Sequence, residues 1–267
     1  MALVFCITSS LLLLLLAGCQ AAAGKSQPAT FRVMSYNIHH GEGLDGKVDL
    51  QRIAELIKRE RADLVGLQEV DKGTARTGRR DFPAELAALT GMTCVFSNNY
   101  HYQGGEYGNA LLTRFPVQAW TNTHLARVSP GEQRGLLRAV VRVQGRREIV
   151  FANTHLDNVS EAERLRSAGQ IEEVLRAYGA RPLLLCGDLN TRPGSGTYEK
   201  IAGRLADAWK LAGEGEGNTI PAEAPRQRID YVWIGQTNWL TPVRAWVPRS
   251  EASDHLPVVV EVKLQER

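Results

Sequence analysis

Two parts of the chain repeat one strand–helix–strand plan at almost the same spacing. In each part an apolar run leads to a polar residue, a helical pattern follows, and a second apolar run leads to an acidic residue. The polar residues lie 32 positions apart in the first part (Asn37 and Glu69) and 33 in the second (His155 and Asp188). Both intervals match one βαβ unit of about 30 residues. The repeat therefore predicts an α/β fold with two similar halves.

Further helices and strands are predicted from the spacing of apolar residues. Apolar side chains recur at helical spacing over residues 49–59, and a capping box at 160–163 opens a helix that runs to about residue 178. Open α/β sheets bind ligands beyond the carboxyl ends of their strands, so the polar residues favour two sheets whose active edges meet. Further strands are predicted at 107–112, 117–125, 136–143, 228–234, 239–246 and 256–262, and long loops at 72–80, 97–106 and 213–227.

The N-terminal segment has the character of an export signal. Residues 1–24 carry no charged side chain, and leucine fills positions 11–16. This run is shorter than the about 20 residues that span a bilayer and fits the apolar core of a signal peptide. The ending Leu-Ala-Gly-Cys resembles a bacterial lipobox. It implies a signal peptide at 1–18, a lipid on Cys19, a tether at 19–30 and one domain at 31–267, held on a membrane of the bacterial cell envelope. An uncleaved anchor or a wrongly assigned start is the alternative.

The net charge and the cysteine content give two further expectations. The formal net charge of +3 is too small to indicate a nucleic-acid-binding protein. Cys94 and Cys186 both lie inside apolar segments, which predicts buried free thiols that pack as small hydrophobic side chains. A disulfide between them is the alternative in an exported protein.

Six strand-like segments carry or end in motifs that contain Asn, Asp, Glu or His. In this order, with these neighbours, the motifs resemble those of the endonuclease/exonuclease/phosphatase superfamily of metal-dependent phosphoesterases over residues 31–262. The resemblance implies a four-layered α/β sandwich of two mixed β-sheets flanked by helices, with the active site at the strand ends. The motifs are Ser35-Tyr36-Asn37, Leu67-Gln68-Glu69, Asn153-Thr154-His155-Leu156, Gly187-Asp188-Leu189-Asn190, Ile229-Asp230-Tyr231 and Ser253-Asp254-His255-Leu256.

Hydrolysis of a phosphodiester calls for a cation and a positioned proton acceptor. Mg²⁺ prefers oxygen ligands, and Glu69 follows a buried strand that would hold its carboxylate in place. The resemblance implies Asn37 and Asp254 as further metal ligands, with Mn²⁺ or Ca²⁺ as alternatives to Mg²⁺. The DNA-repair branch has an acid two residues after the motif asparagine, whereas this chain has His39, which does not favour a second oxygen-ligated metal.

Five residues are predicted to carry the chemistry. Asp230 interrupts an apolar strand, and a carboxylate buried there needs a partner. The resemblance implies that this partner is His255, which acts as general base or as a hydrogen-bond donor in the transition state. The alternative is a purely structural salt bridge between Asp230 and a nearby arginine. It also implies that Asp188 orients the attacking water and that Asn190 and His155 contact the phosphate, although Asp188 and Asn190 also suit an ordinary turn.

Substrate contacts are less sharply defined. The resemblance places Asn109 near the phosphate, and Arg114 and Arg138 are candidates to bind it, although either suits an ordinary surface arginine equally well. The basic residues of the loop at 72–80 are interpreted either as a site that recruits an anionic substrate or as solvated surface charges.

The predicted function is that of a divalent-metal-dependent phosphodiesterase, monomeric and with no protein partner inferred. The glycine-rich motifs after Tyr36 and before Asn109 also resemble bacterial metal-dependent hydrolases and the C-terminal domain of proteins that remodel the lipid of GPI anchors. This favours a phospholipid, phosphoinositide or GPI-like headgroup as substrate. The alternatives are a secreted or surface nuclease that acts on DNA or RNA, and a non-catalytic binding module on the same fold.

Overall fold

The computed structural model describes residues 30–143 and 147–265. The predicted signal peptide, the lipid site at Cys19 and all of the tether before Thr30 lie outside these residues. In the described part, no helix is both long and apolar enough to cross a bilayer. The strands are β1 (Thr30–Asn37), β2 (Leu64–Lys72), β3 (Thr93–Tyr102), β4 (Gly105–Thr113), β5 (Val117–His124), β6 (Gly135–Val143), β7 (Arg147–His155), β8 (Leu183–Asp188), β9 (Leu205–Asp207), β10 (Asp230–Gly235), β11 (Leu240–Trp246) and β12 (Val258–Leu264). The helices are α1 (Leu50–Arg59), α2 (Phe82–Thr90), α3 (Glu161–Arg176), α4 (Gly196–Ala202) and α5 (Ala208–Ala212).

The strands form two six-stranded mixed sheets. The first has the order β11-β12-β1-β2-β4-β3 and the second β5-β6-β7-β8-β10-β9. Only β1–β2 and β7–β8 are parallel among these described strand pairs, and they are the two βαβ units that the sequence spacing predicts. Side chains of α1 and α2 share a core with the outer face of the first sheet, and those of α3 and α4 do so with the second. The predicted four-layered α/β sandwich is confirmed.

The two sheets approach closely at Gly66 in β2. A Cβ atom there would lie 2.6 Å from the Cβ of Cys186 in β8 and 3.0 Å from the side chain of Asn153 in β7. Around this point the inner faces form one core that includes Leu64, Phe151 and Cys186. The absence of a side chain at Gly66 thus sets the spacing of the sheets.

Replacing Gly66 with alanine should therefore destabilise the protein by about 1–3 kcal/mol, because the added methyl group overpacks the inter-sheet core. The measurement is the free energy of unfolding from denaturant titration. Gly169 in α3 is the matched control, since a Cβ there meets its nearest atom at 3.9 Å. Gly169→Ala should be neutral or stabilising, and an equal loss in both variants would contradict this account of the interface.

The structure corrects the predicted loop at 97–106. Residues up to Tyr102 continue β3, and β4 starts at Gly105. The hairpin turns through Gln103 and Gly104, both with left-handed backbone (φ 47° and 74°), which is the arrangement of a two-residue turn matched to strand twist. A run of polar residues on an edge strand concealed this hairpin from the sequence pattern. The predicted loop at 72–80 begins one residue later, because β2 extends to Lys72.

Helix starts are explained by their caps. Asp49 caps α1 by accepting a hydrogen bond from the N–H of Gln51, and Ser160 caps α3 through the N–H of Glu163. Only half of the predicted capping box forms, because the Glu163 carboxylate instead accepts from the backbone and hydroxyl of Ser129. Helix α3 is thereby tied to the loop between β5 and β6.

Cys94 and Cys186 are free thiols, as predicted, although only Cys186 is fully buried. Cys186 is buried between the sheets, and Cys94 is partly buried in β3 of the first sheet. Burial, followed by the charge of Asp81, raises the pKa of the Cys94 thiol to about 12. Both thiols therefore act as packing groups and not as nucleophiles.

Candidate active site

The polar residues converge where the carboxyl ends of the parallel strands from both sheets meet. Pairing in the second sheet aligns His155 with Asp188, and the antiparallel β10 brings Asp230 beside Asp188 from the other side. In the first sheet β1 ends at Asn37, which pairs with Gln68. We call this place the catalytic edge.

Asn37 joins the two sheets at the catalytic edge. Its Nδ2 atom donates to Oε1 of Glu69 and to Oδ2 of Asp188, each at 3.0 Å. Its Oδ1 atom accepts from the N–H of His39 at 3.0 Å, and its backbone carbonyl accepts from the hydroxyl of Ser253 at 2.8 Å. The amide therefore holds two acidic side chains from different sheets next to one another.

A bulge in β2 orients Glu69. The pairing of β2 with β4 shifts between Leu67 and Val70, and Glu69 within that bulge has a left-handed φ of 61°. Non-glycine residues rarely adopt this conformation, and it is commonest where function requires it. The sequence identifies Glu69, but the bulge that turns it towards Asn37 is visible only in the structure.

His255 and Asp230 form a buried pair. The Nδ1 atom of His255 lies 2.9 Å from Oδ2 of Asp230, and the hydroxyl of Thr219 donates to the same oxygen at 2.6 Å. Burial disfavours the imidazolium, but Asp230 and then Asp188 and Asp254 outweigh it and raise the pKa of His255 to about 10. The structure thus pairs Asp230 with His255, in preference to an arginine.

Asp188 lies at the centre of the cluster. Burial, followed by the nearby charge of Asp230, raises the pKa of Asp188 to about 7. Its Oδ2 atom is 3.5 Å from Nε2 of His155 and 3.8 Å from Nε2 of His255. Its Oδ1 atom accepts from the N–H of Asn190 at 2.8 Å, so the turn suggested by the sequence forms as well. The left-handed backbone of Asn190 (φ 49°) then brings its amide to 3.1 Å from His155.

An arginine that sequence reasoning missed completes the cluster. Arg134 is 6 % exposed, and its Nη1 atom lies 3.0 Å from Nδ1 of His155 and 3.0 Å from Glu132. Its Nε atom is buried without a hydrogen-bond partner among the described residues. Burial, then Arg134 and His255, keeps the pKa of His155 well below its usual value, so this imidazole is neutral. Because a guanidinium only donates, Nδ1 of His155 accepts the hydrogen bond from Arg134.

Replacing Arg134 with methionine should lower kcat/KM for a phosphodiester by about 10²-fold, the cost of removing one donor aimed at a developing negative charge. Arg138→Met is the matched control, since Arg138 is 8 % exposed and is also an arginine of the β6 segment. The measurement is steady-state hydrolysis of bis(4-nitrophenyl) phosphate. A loss in the Arg138 variant as large as that in the Arg134 variant would contradict this assignment.

Two predicted phosphate-binding residues do not reach the catalytic edge. Arg114 follows β4, which runs antiparallel to β2, so it lies at the opposite end of the sheet, where Nε is 3.9 Å from Asp63. Arg138 donates to Thr123 at 2.7 Å and lies 5.9 Å from the ring of Tyr178, beyond the far end of α3. Asn109 does lie nearby, and its amide donates to the carbonyl of Gly135, the neighbour of Arg134.

Asp254 lies at the open side of the cluster. Its side chain is 44 % exposed, and its Oδ1 atom is 3.8 Å from Nδ1 of His39. His39 and His40 both have left-handed backbone (φ 45° and 41°), which turns the chain sharply after Asn37. An imidazole therefore stands beside Asp254, where the DNA-repair pattern has an acid.

The basic residues of the 72–80 loop are partly exposed, as one of the two interpretations predicts, but they are not free. Each of the four side chains is held by a neighbouring carboxylate or backbone carbonyl. The partners are buried Asp71 for Arg76 (2.7 Å), Glu85 for Arg80, the carbonyls of Gly73 and Gln103 for Arg79, and Glu106 for Lys72 (3.7 Å). These cations stabilise the loop and the adjacent hairpin.

Comparison with known proteins places this cluster in a family. The chain belongs to the Endonuclease/Exonuclease/phosphatase family, whose sequence model matches residues 34–255. The protein is accordingly a hydrolase, a metal-dependent phosphoesterase, which confirms the prediction of an enzyme over that of a binding module.

Two relatives in sequence are the uncharacterized protein YbhP of Escherichia coli (strain K12) and the 5'-tyrosyl-DNA phosphodiesterase of Caenorhabditis elegans. The first is 26 % identical over 259 residues, which cover 90 % of this chain and 99 % of YbhP. The second is 25 % identical over 195 residues, which cover 68 % of this chain and 48 % of that protein.

Solved structures share the fold. An endonuclease/exonuclease/phosphatase from Beutenbergia cavernae superposes with a TM-score of 0.72 at 29 % identity, and covers 88 % of this chain and 72 % of that one. The mannosyl-6-phosphatase Bt3783 of Bacteroides thetaiotaomicron has a TM-score of 0.74 at 19 % identity over 87 % of this chain and 99 % of that one.

The residues at the catalytic edge fit a hard divalent cation. The carboxylates of Asp188 and Asp230 are both buried here, and Oδ1 of Asp230 has no hydrogen-bond partner in the described ranges. Glu69 adds a carboxylate beside them through Asn37. Several acidic groups packed together at low exposure repel one another, and a cation offsets that repulsion.

Proposed function

We propose that the protein is a Mg²⁺-dependent phosphodiesterase that hydrolyses its substrate by in-line attack of water. The observation that carries this proposal is the chain of contacts at the catalytic edge. Asn37 links Glu69 to Asp188, and Asp188 lies 3.8 Å from the histidine of the His255–Asp230 pair. Acidic residues suited to hold a cation therefore lie next to residues suited to transfer protons.

Glu69, with Asn37 and Asp254, would hold the cation. When bound, Mg²⁺ neutralises charge on the phosphate and on the leaving oxygen. The described oxygen-rich residues suit Mg²⁺, while the imidazole of His39 near Asp254 also suits Mn²⁺.

The pKa values divide the proton chemistry between two residues. Asp188, whose pKa is raised by burial and by the charge of Asp230, lies near both histidines and is placed to orient the attacking water and accept its proton. His255, with its pKa raised to about 10, is an imidazolium at neutral pH and donates a hydrogen bond. This refines the two roles that the sequence leaves open for His255, in favour of the donor.

Neutral His155 with Arg134 and Asn190 forms the phosphate-binding side of the site. Arg134 donates to Nδ1 of His155, and the amide of Asn190 lies 3.1 Å from Nε2 of the same ring. These donors are held in place before the reaction, and such preorganised donors stabilise charge that develops in the transition state.

For the substrate, we propose a phospholipid or a similar membrane headgroup. The support is the lipobox-like sequence together with chain reach. Thr30, where β1 begins, lies at the end of the strand opposite Asn37, and β1 is 8 residues or about 26 Å long. The 11 residues from 19 to 29 can extend about 36–40 Å, enough for the catalytic edge to meet the surface that holds a lipid on Cys19.

A nuclease is the second candidate, and the β3–β4 hairpin favours it. The start of β4 pairs with the end of β2, so the hairpin tip stands at the catalytic edge. It carries Tyr100 and Tyr102, whose rings stack with centroids 6.3 Å apart, and Tyr102 is 36 % exposed. Exposed aromatic rings beside an anion site can stack on nucleobases.

One experiment separates these candidates. The purified full-length protein is incubated with Mg²⁺ and either phosphatidylinositol vesicles or plasmid DNA, with His255→Ala and a chelator as controls. We expect headgroup release that disappears in both controls, and intact DNA. Nicked plasmid with untouched vesicles would show that DNA, and not a lipid, is the substrate. Hydrolysis that persists in the presence of the chelator would contradict the dependence on a metal ion.

A further inference from the structure

A cavity of about 490 Å³ opens outside the catalytic cluster. It is enclosed by the segment that follows β8, by α5 and by the loop at 213–227. Its lining includes four cations from these segments, together with Trp209 and the acidic residue Glu216. The cations are Arg192, Lys210, Arg226 and Arg228. We call this cavity the cationic pocket.

The wall of the cationic pocket is fixed by the packing of Trp209. The indole Nε1–H donates to the carbonyl of Gly215 at 3.0 Å. Cβ atoms added at Gly213 and Gly217 would lie 2.5 Å and 2.3 Å from the indole ring, so both glycines press directly on it. This part of the loop is therefore wrapped around a side chain that is itself only 9 % exposed.

The floor is fixed by a buried ion pair. Nη1 of Arg228 lies 2.7 Å from Asp207, and the two side chains are 6 % and 3 % exposed. The hydroxyl of Tyr198 donates to the same carboxylate at 2.8 Å. Arg228 is thus compensated, while Arg192, Lys210 and Arg226 are exposed.

The charge of the pocket selects anions. Because Asp207 compensates Arg228, three further cations of the lining (Arg192, Lys210 and Arg226) face a single acidic residue, Glu216. Lys210 lies 4.8 Å from the ring centroid of Tyr198, which orients the ammonium without neutralising it. Several positive groups around one concave surface raise the local concentration of anions and favour phosphate in particular.

The cationic pocket is also a short distance along the chain from the catalytic residues. Arg192 is two residues after Asn190, and Arg228 is two residues before Asp230. Asn218, which lines the pocket, precedes Thr219, whose hydroxyl donates to Asp230. Two residues span at most about 7 Å, so the backbone of the cationic pocket begins within about that distance of Asn190 and Asp230.

We propose that the cationic pocket is a second anion subsite that binds a further phosphate group of the substrate. The inference rests on the proposed phosphodiesterase function and deepens it, because it makes the preferred substrate one that carries a second phosphate. In line with the proposed substrate, that phosphate belongs to a phosphorylated lipid headgroup, and a polynucleotide as its source is an outcome that the test distinguishes.

The test compares matched substrates with and without the extra phosphate. One arm uses vesicles of phosphatidylinositol and of phosphatidylinositol 4-phosphate, and the other uses a thymidine dinucleotide without and with a 5'-phosphate. In one of the two arms, the wild-type kcat/KM should be about tenfold higher for the substrate that carries the extra phosphate. The arm that shows this preference identifies the molecule from which the second phosphate comes. In Arg192→Ala/Arg226→Ala the ratio should fall to near one, whereas Arg166→Ala, an exposed arginine of α3, should keep it.

A second readout does not depend on catalysis. Calorimetric titration of the metal-free protein with pyrophosphate should show binding that weakens about tenfold or more in the double variant and not in Arg166→Ala. Failure to hydrolyse bis(4-nitrophenyl) phosphate would refute the proposed function, and the titration would still decide on the pocket. A wild type that hydrolyses this ester but shows no preference in either arm, a preference that survives the double variant, or absence of pyrophosphate binding would overturn the subsite.

Discussion

Replacing His255 with alanine should lower kcat for phosphodiester hydrolysis by roughly 10²–10⁴-fold, the usual contribution of a positioned proton donor or acceptor. The imidazole is buried and held by Asp230 at 2.9 Å, so no water or neighbouring side chain can take its place with the same geometry. The measurement is steady-state release of 4-nitrophenol from bis(4-nitrophenyl) phosphate in Mg²⁺.

Two variants control this prediction. Asp230→Asn keeps the shape of the pair but removes the charge that raises the pKa of His255, so it should also lower kcat. His101→Ala removes an exposed histidine of the β3–β4 hairpin and should leave kcat unchanged. Full activity in His255→Ala would remove this residue from the mechanism.

Replacing Glu69 with glutamine should lower kcat/KM by roughly 10³-fold, or about 4 kcal/mol of transition-state stabilisation, because the cation loses its principal carboxylate. The amide keeps the size of the side chain but removes its charge. Affinity for Mn²⁺, followed by calorimetry, should fall in parallel. A loss of activity with unchanged metal affinity would assign Glu69 to another role.

The control for this variant is Glu199→Gln. Glu199 is an exposed carboxylate of α4 and lies outside the catalytic cluster. The control should retain both activity and metal affinity. An equal loss would show that general surface charge, and not the site, governs binding of the cation.

The spacing of polar residues at strand ends predicted the fold well, for a physical reason. A βαβ unit has a narrow range of lengths, and its strands must end at the same edge of a sheet. Asn37 therefore had to lie near Glu69, and His155 near Asp188, once each unit formed. The cost of burying a carboxylate predicted that Asp230 has a partner, and the family resemblance named His255 as that partner.

Other features depend on contacts that a single sequence does not display. Arg134 precedes β6, and only the antiparallel pairing of β6 with β7 brings it to His155. That pairing was a usable signal, since the start of one strand in a hairpin lies beside the end of the next. Arg114 shows the converse, because the direction of β4 carries it away from the catalytic edge.

Bulges and loop packing were beyond the sequence for a different reason. The left-handed conformation of Glu69 depends on a register shift between β2 and β4 that no local propensity encodes. The cationic pocket depends likewise on glycines that press on Trp209, which gives the loop at 213–227 a fixed shape. Neither feature has a hydrophobic periodicity or a sequence motif from which it could be predicted.

The most direct test of the central claim is hydrolysis of bis(4-nitrophenyl) phosphate by the purified protein as Mg²⁺ is added and then removed by a chelator. We predict release of 4-nitrophenol that rises with Mg²⁺, stops on chelation, returns when Mg²⁺ is restored, and is lost in His255→Ala. Release that is indifferent to the chelator, or equal in the His255 variant, would contradict a metal-dependent phosphodiesterase built on this catalytic edge.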